Sequence, residues 1–114
     1  MKNEKSSNIK KSPVIMDGAK DAEIRVLISK EDGANTFAMR MFEIQPGGHT
    51  PLHAHPHEHE VFIVAGTGTL HCDGKEYPFE PEHAIFVPGD AMHNFQNTGD
   101  SLLRFLCLVP SSAA

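Results

Sequence analysis

Glu60-Val61-Phe62-Ile63-Val64-Ala65-Gly66-Thr67-Gly68-Thr69-Leu70-His71-Cys72-Asp73-Gly74-Lys75-Glu76-Tyr77-Pro78-Phe79 decides the fold class. It opens with a β-branched and aromatic run, Glu60–Ala65, stops at Gly66 and resumes as Gly68–Cys72. Asp73-Gly74 then returns the chain as Lys75–Phe79. Asp-Gly between two such runs is the strongest short-range hairpin signal, because both central residues of the favoured tight turn need positive φ. Upstream, Ile24–Ser29 and Thr36–Gln45 read as strands ended by Lys30-Glu31-Asp32-Gly33 and Pro46-Gly47-Gly48. Downstream, Ala84–Val87, Met92–Gln96 and Leu102–Val109 read the same way, with Pro88-Gly89-Asp90 as a turn. No stretch keeps a helical period with caps. Short strands at this spacing predict an all-β sandwich or barrel.

At 114 residues the chain is sized for one domain. Residues 1–12 are rich in Lys, Ser and Asn, with Ile9 the one apolar side chain after Met1, and read as a flexible tail. Residues 13–114 read as the single folded domain. The formal net charge is −5, and residues 13–114 hold six basic and fourteen acidic residues, a net −8. That balance argues against a nucleic-acid partner, which needs a basic face. No apolar run reaches membrane-helix length, and the N-terminus lacks an apolar signal core, so no membrane partner and a cytoplasmic location are expected. Cys72 and Cys107 form no disulfide framework, in keeping with a reducing compartment.

Strand neighbours alternate between faces. In Leu102–Val109 the odd positions, Leu103, Phe105, Cys107 and Val109, form an apolar inward set, and Arg104 marks the even face as outer. In Glu60–Ala65, Val61, Ile63 and Ala65 are purely apolar. The outer sets nevertheless carry Phe62, Val64, Leu102, Leu106 and Leu108, which is too apolar for a free surface and predicts a homodimer.

The chemistry concentrates in histidine. Of eight in the chain, five lie between His49 and His59. His53 and His55 are two apart and share a side of an extended chain. His59 has the parity of the inward Val61 and Ile63, and Pro56 lets it approach from another angle. His93 shares parity with Phe95 on a later strand. Imidazole nitrogen is a common ligand for first-row transition metals, and these rings converging inside a barrel would hold one ion. A solvated histidine tract that binds metal loosely is the alternative.

These residues carry a family resemblance. Gly47-Gly48-His49-Thr50-Pro51-Leu52-His53-Ala54-His55-Pro56-His57-Glu58-His59, running to Gly66, resembles the first cupin motif, and Pro88-Gly89-Asp90-Ala91-Met92-His93 followed by Asn97 resembles the second. The resemblance covers roughly residues 36–109. It implies a double-stranded β-helix (jelly-roll) barrel and, with His59 where glutamate is usual, a small single-domain cupin with four histidine ligands: His53, His55, His59 and His93. Using Glu60 instead would spoil the spacing to Gly66 and point the side chain outward. The ending Phe105-Leu106-Cys107-Leu108-Val109-Pro110 also matches such proteins. Two departures stand in the second motif: Glu82 and Asp90 occupy positions where glycine is usual.

The expected cofactor is one divalent transition metal per chain (Mn, Fe, Ni, Cu or Zn). Four neutral histidines leave it two open positions in octahedral geometry. The expected partner is a small-molecule substrate. Phe105 and Cys107 are candidate pocket residues, although Cys107 reads equally as a buried apolar-like cysteine. Arg40 is read as reaching the cavity, where it would bind an anionic or oxygen-bearing substrate; an interface ion pair is the other reading. Leu103, Val61, Ile63 and Met39 or Phe42 are expected beside the metal. His57 reads as a loop residue, His49, His71 and His83 as peripheral, Asn97 as a turn fastener, and Glu58 and Glu60 as possible orienting acids. The apolar pocket favours an O2-dependent oxidoreductase of dioxygenase type acting on a small apolar or aromatic substrate. The rivals are a metal-dependent isomerase or lyase, short of a well-placed base (Tyr77, Glu43 and His57 being the candidates), and a non-catalytic metal- or ligand-binding module.

Overall fold

The computed structural model describes all of Met1–Ala114. Nine strands form: β1 (Lys11–Pro13), β2 (Lys20–Ile28), β3 (Phe37–His49), β4 (His59–Ala65), β5 (Gly68–Cys72), β6 (Lys75–Phe79), β7 (Ala84–Val87), β8 (His93–Asn97) and β9 (Leu103–Pro110). The helical content is three single 3-10 turns, and no helix is long and apolar enough to cross a membrane. The strands run in the order β6-β5-β8-β3-β9-β4-β7, with β2 also on β3 and β1 on β2. This single sheet curls on itself as a jelly-roll, so one set of alternate side chains faces a common interior.

The inward set is the expected one. Leu103, Phe105, Cys107 and Val109 of β9 are buried, as are Val61 and Ile63 of β4. Between them the outer residues remain partly or fully in solvent, with Phe62 43% exposed. Cross-strand register sets Phe62 against Leu106 and Glu60 against Phe86 and Leu108, so the outer apolar side chains adjoin one another. Asp73 and Gly74 both take positive φ, +50° and +79°, as the two-residue turn between β5 and β6 requires.

Two local expectations change. Pro46-Gly47-Gly48 does not end the strand: β3 continues through it to His49. Lys20 lies opposite His49 while Ala22 lies opposite Ile44, so β3 holds a bulge there. Glycine permits it, since Gly47 has φ +80° and a Cβ on Gly48 would stand 2.6 Å from the Lys20 carbonyl oxygen. The bulge carries the chain on to Thr50, whose N–H donates to the Phe95 carbonyl at 2.9 Å.

The second change is at the N-terminal boundary. The domain edge expected at Pro13 falls inside β1, whose first two residues come from the stretch read as a tail. Lys11, Ser12 and Pro13 pair with Arg25, Ile24 and Glu23. Lys11 reaches Glu23 at 3.4 Å and Glu43 at 3.5 Å, and buried Glu43 is also flanked by Arg25 (3.6 Å) and Arg104 (3.3 Å). Arg25 donates to the Ile9 carbonyl at 2.6 Å. Charge pairing, rather than apolar alternation, lays this segment on β2.

Candidate metal centre

The bulged end of β3 delivers the loop that carries His53, His55 and His57, and β4 begins at His59. His93 begins β8 and is tied to the loop by backbone: His53 N–H donates to the His93 carbonyl at 3.1 Å, and His93 N–H to the His53 carbonyl at 2.9 Å. Asp90 N–H donates to the His55 carbonyl at 2.7 Å. Gly89 packs so closely on the Pro56 carbonyl that a Cβ there would collide with it. Thus the turn before β8 grips the turn inside the histidine loop. Asp90 and Glu82, the two departures from the expected glycines, both hold left-handed backbone, with φ +66° and +72°. These are conformations glycine adopts without cost and glutamate does not.

Four rings meet in the interior. Ring centroids of His53 lie 4.9 Å from His55 and 5.2 Å from His93, while His59 lies 4.4 Å from His55 and 5.1 Å from His93. Ligand nitrogens group as two overlapping triads, His53/His55/His93 and His55/His57/His59, each with its atoms within 4.8 Å of one another. His57, expected in the loop without a fixed direction, stacks flat on His55 at 3.9 Å and 1° and joins the second triad. The Pro56 turn folds it back; strand parity could not have located it.

Hydrogen bonding fixes the tautomers. Nδ1 of His53 donates to the Pro51 carbonyl (2.8 Å), Nδ1 of His55 to the His57 carbonyl (2.9 Å) and Nδ1 of His93 to the Ala91 carbonyl (2.8 Å). A carbonyl only accepts, so Nδ1 carries the proton and Nε2 is left as a bare lone pair. His59 differs. Its Nε2 lies 2.6 Å from Nε2 of His55 and must be the donor there. Its Nδ1 accepts from Arg40 Nη2 at 3.5 Å and lies 2.8 Å from Cys107 Sγ. Holding an ion on Nε2 of His59 requires its proton to move to Nδ1, where Cys107 sulfur stands as acceptor. Glu58 and Glu60 are exposed and meet none of these nitrogens.

Burial, then Arg40 and the neighbouring rings, pushes His59 down to about 3. Burial likewise lowers His93, and burial with His55 and Arg40 lowers His57. Neutral imidazole is the metal-binding form. Burial raises the Cys107 thiol against the opposing pull of Arg40.

The rings border a cavity of about 620 Å³, whose other walls include Arg40, Phe42, Phe95, Phe105 and Cys107. Phe105 stacks on Phe42 at 5.2 Å and packs tilted against Phe95 at 4.7 Å. Arg40 donates from Nη2 to Cys107 Sγ at 3.2 Å, lies 5.2 Å over the Phe42 ring, and keeps a buried Nε without a partner. No Asp or Glu lines this space, so Arg40 is its one formal charge. Val61, Ile63 and Leu103, expected beside the metal, pack in the core instead and do not line the cavity; nor does Met39, so Phe42 is the residue of that pair that does. Shared parity placed them inward, but the barrel interior is filled beneath the site. Tyr77 borders a separate pocket with His83, and Glu43 is held by its cations. Asn97 donates to the Ile44 and Ser101 carbonyls at 2.8 Å each, fastening a turn. Sequence reasoning missed Pro13, Val14, Ile15 and Met16, which also line the cavity; they lie beside the stretch read as a tail.

A model of the cupin domain matches residues 40–109, more than half of the chain. The chain is a cupin. The solved structure of the polyketide cyclase RemF from Streptomyces resistomycificus superposes on this cupin with TM-score 0.91 and 34% identity, over 97% of this chain and 80% of that one. An oxalate-binding protein from Thermotoga maritima is 34% identical over 96 residues, 81% of this chain and 78% of that protein. A 1-methylthio-D-xylulose 5-phosphate methylsulfurylase from Rhodospirillum rubrum is 36% identical over 74 residues, 65% of this chain; the cupin spans about half (47%) of that relative's length.

Proposed function

We propose that this cupin is an enzyme that holds one divalent transition metal through Nε2 of His53, His55, His59 and His93, and moves a proton on a carbonyl substrate with an apolar or aromatic body. The reading rests chiefly on the donor set. Three rings have Nδ1 committed to carbonyls and Nε2 unprotonated, the His55 lone pair facing Nε2 of His59, which suits a transition metal. A bound ion supplies Lewis acidity toward a carbonyl or enolate oxygen. Arg40, the one charge in the cavity, offers its positive charge to a second oxygen. His57 lines the same space, and neither of its ring nitrogens makes a hydrogen bond within the protein. It can therefore take a proton from carbon and return it. Phe42, Phe95 and Phe105 hold the apolar body and keep water out. Isomerisation, cyclisation and lyase chemistry share this step, and the likeness to a polyketide cyclase supports the redox-neutral class.

The acid-free aromatic cavity supports a second reading, a dioxygenase acting on a small apolar or aromatic substrate. One experiment separates them. Metal-loaded protein is incubated anaerobically in D2O with phenylacetone, and deuterium entry at the benzylic carbon is followed by NMR; oxygen consumption is then measured with the same ketone and with 1,3-diketones. Exchange without oxygen supports the first reading, and stoichiometric oxygen uptake the second. Neither result would leave a binding module.

A further inference from the structure

We propose that the tip of the β1–β2 hairpin, Ile15 with Met16, is the far wall of the substrate site and binds the apolar end of a substrate too long for the barrel interior. The proposal rests on the reading of the cavity as a metal-dependent substrate site and adds the class of molecule it takes: an oxygen-bearing head at Arg40 and the histidines, and an extended neutral apolar tail.

The tip is a built element. Pro13 pairs with Glu23, and Val14 N–H donates to the Ala22 carbonyl at 2.9 Å. Ala19 N–H donates to the Met16 carbonyl at 3.1 Å, which closes the turn. Gly18, with φ +89°, reverses the chain, and a Cβ there would lie 3.7 Å from Cα of Pro51. The tip therefore lies against the loop that leads from β3 into His53. Ile15 and Met16 border the same cavity as the five histidines, yet are 88% and 55% exposed. Their apolar surface is thus left in solvent at the border of the cavity rather than packed in the core. Exposed Asp17, next along the tip, disfavours an anionic tail, whereas Arg40 favours an anionic or enolic head. Cavities of about 300–1,000 Å³ hold drug-sized ligands. A volume of about 620 Å³ suits a substrate that reaches from the histidines to the tip better than a two-carbon acid.

The test measures binding, not turnover. Calorimetric titration of metal-loaded protein with 2,4-pentanedione and with 1-phenyl-1,3-decanedione is compared between wild type and the Ile15→Ser/Met16→Ser variant. The variant should lose about 10-fold or more in affinity for the long diketone, in line with the cost of removing apolar pocket contacts. Its affinity for the short diketone, its metal content and its sedimentation coefficient should not change. Equal loss for both probes, or no loss for the long one, overturns the proposal. A change in sedimentation with unaltered long-diketone binding also overturns it and assigns the tip to a second copy of the chain. Metal dependence of short-diketone binding reports on the underlying reading separately. If metal-free wild type binds both probes as well as loaded protein does, that reading fails and the tip proposal falls with it.

Discussion

β4 and β9 each present two faces, and the two differ in what holds their side chains in place. Inward, His59, Phe105 and Cys107 join Arg40 and the other histidines around one open cavity. Outward, one residue along, Glu60, Phe62, Leu106 and Leu108 form an apolar strip with a single acid. The inner face carries the hydrogen bonds that aim the ring nitrogens of the site; on the outer face of β9 only Arg104 is held, by Glu43. Apolar area alone therefore sets the outer face apart, whereas fixed tautomers set the inner one apart.

The largest effect that could break this contrast is on the inner face. His93→Ala removes the one proposed ligand outside the His53–His59 segment and should weaken metal affinity by well over ~100-fold, beyond the ~10–100-fold typical of losing an outer partner of a ligand. His83→Ala, exposed and far from the rings, should leave it unchanged. Competition with a chelator measures both, and equal losses would reduce the site to a diffuse histidine tract.

Next is acid sensitivity of the metal-free protein. His59 sits at about 3 when folded, below the ordinary value near 6.5. The unfolded chain takes that proton first, so the stabilisation is complete above pH ~6.5 and is lost as pH falls toward 3. Lowered His93 and His57 act with the same sign. Urea midpoints should fall across this window, and His59→Gln should flatten the slope; an equally steep slope in the variant would remove His59 as its cause.

On the outer face, we expect wild type to sediment as a homodimer and Phe62→Lys as a monomer with unchanged metal content. A wild-type monomer at micromolar concentration would leave the apolar strip without this role. Smallest is Glu82→Gly. It relieves a left-handed backbone at a non-glycine residue and should raise stability by about 0.5–1 kcal/mol in thermal or urea unfolding. No gain would mean the Glu82 side chain offsets the strain.

Much of the fold was legible because it is written in local alternation. Val61 with Ile63, and Phe105 with Cys107, announce their faces, and Asp73-Gly74 announces its turn. β1 was not legible, since Lys11-Ser12-Pro13 has no apolar rhythm and is held by the charges of Glu23 and Glu43 on other strands. The bulge at Gly47 and Gly48 reads as a turn because glycine serves both ends. In the site, the convergence of His53, His55, His59 and His93 follows from spacing and the motif likeness. The place of His57 does not, because a proline turn leaves parity undefined. The tip residues Ile15 and Met16 were hidden for another reason: what they line is set by where the hairpin folds over, which no local pattern records.

The paired backbone bonds between His53 and His93 have a consequence for the order of events in folding. They close a chain loop that contains β4, β5, β6 and β7, and closing long loops is entropically costly and slow. His93 cannot join the rings of the His53–His59 segment until that closure is made. With the proposed ligand set, full-affinity capture of metal during refolding would therefore report the docking of β8 against the histidine loop.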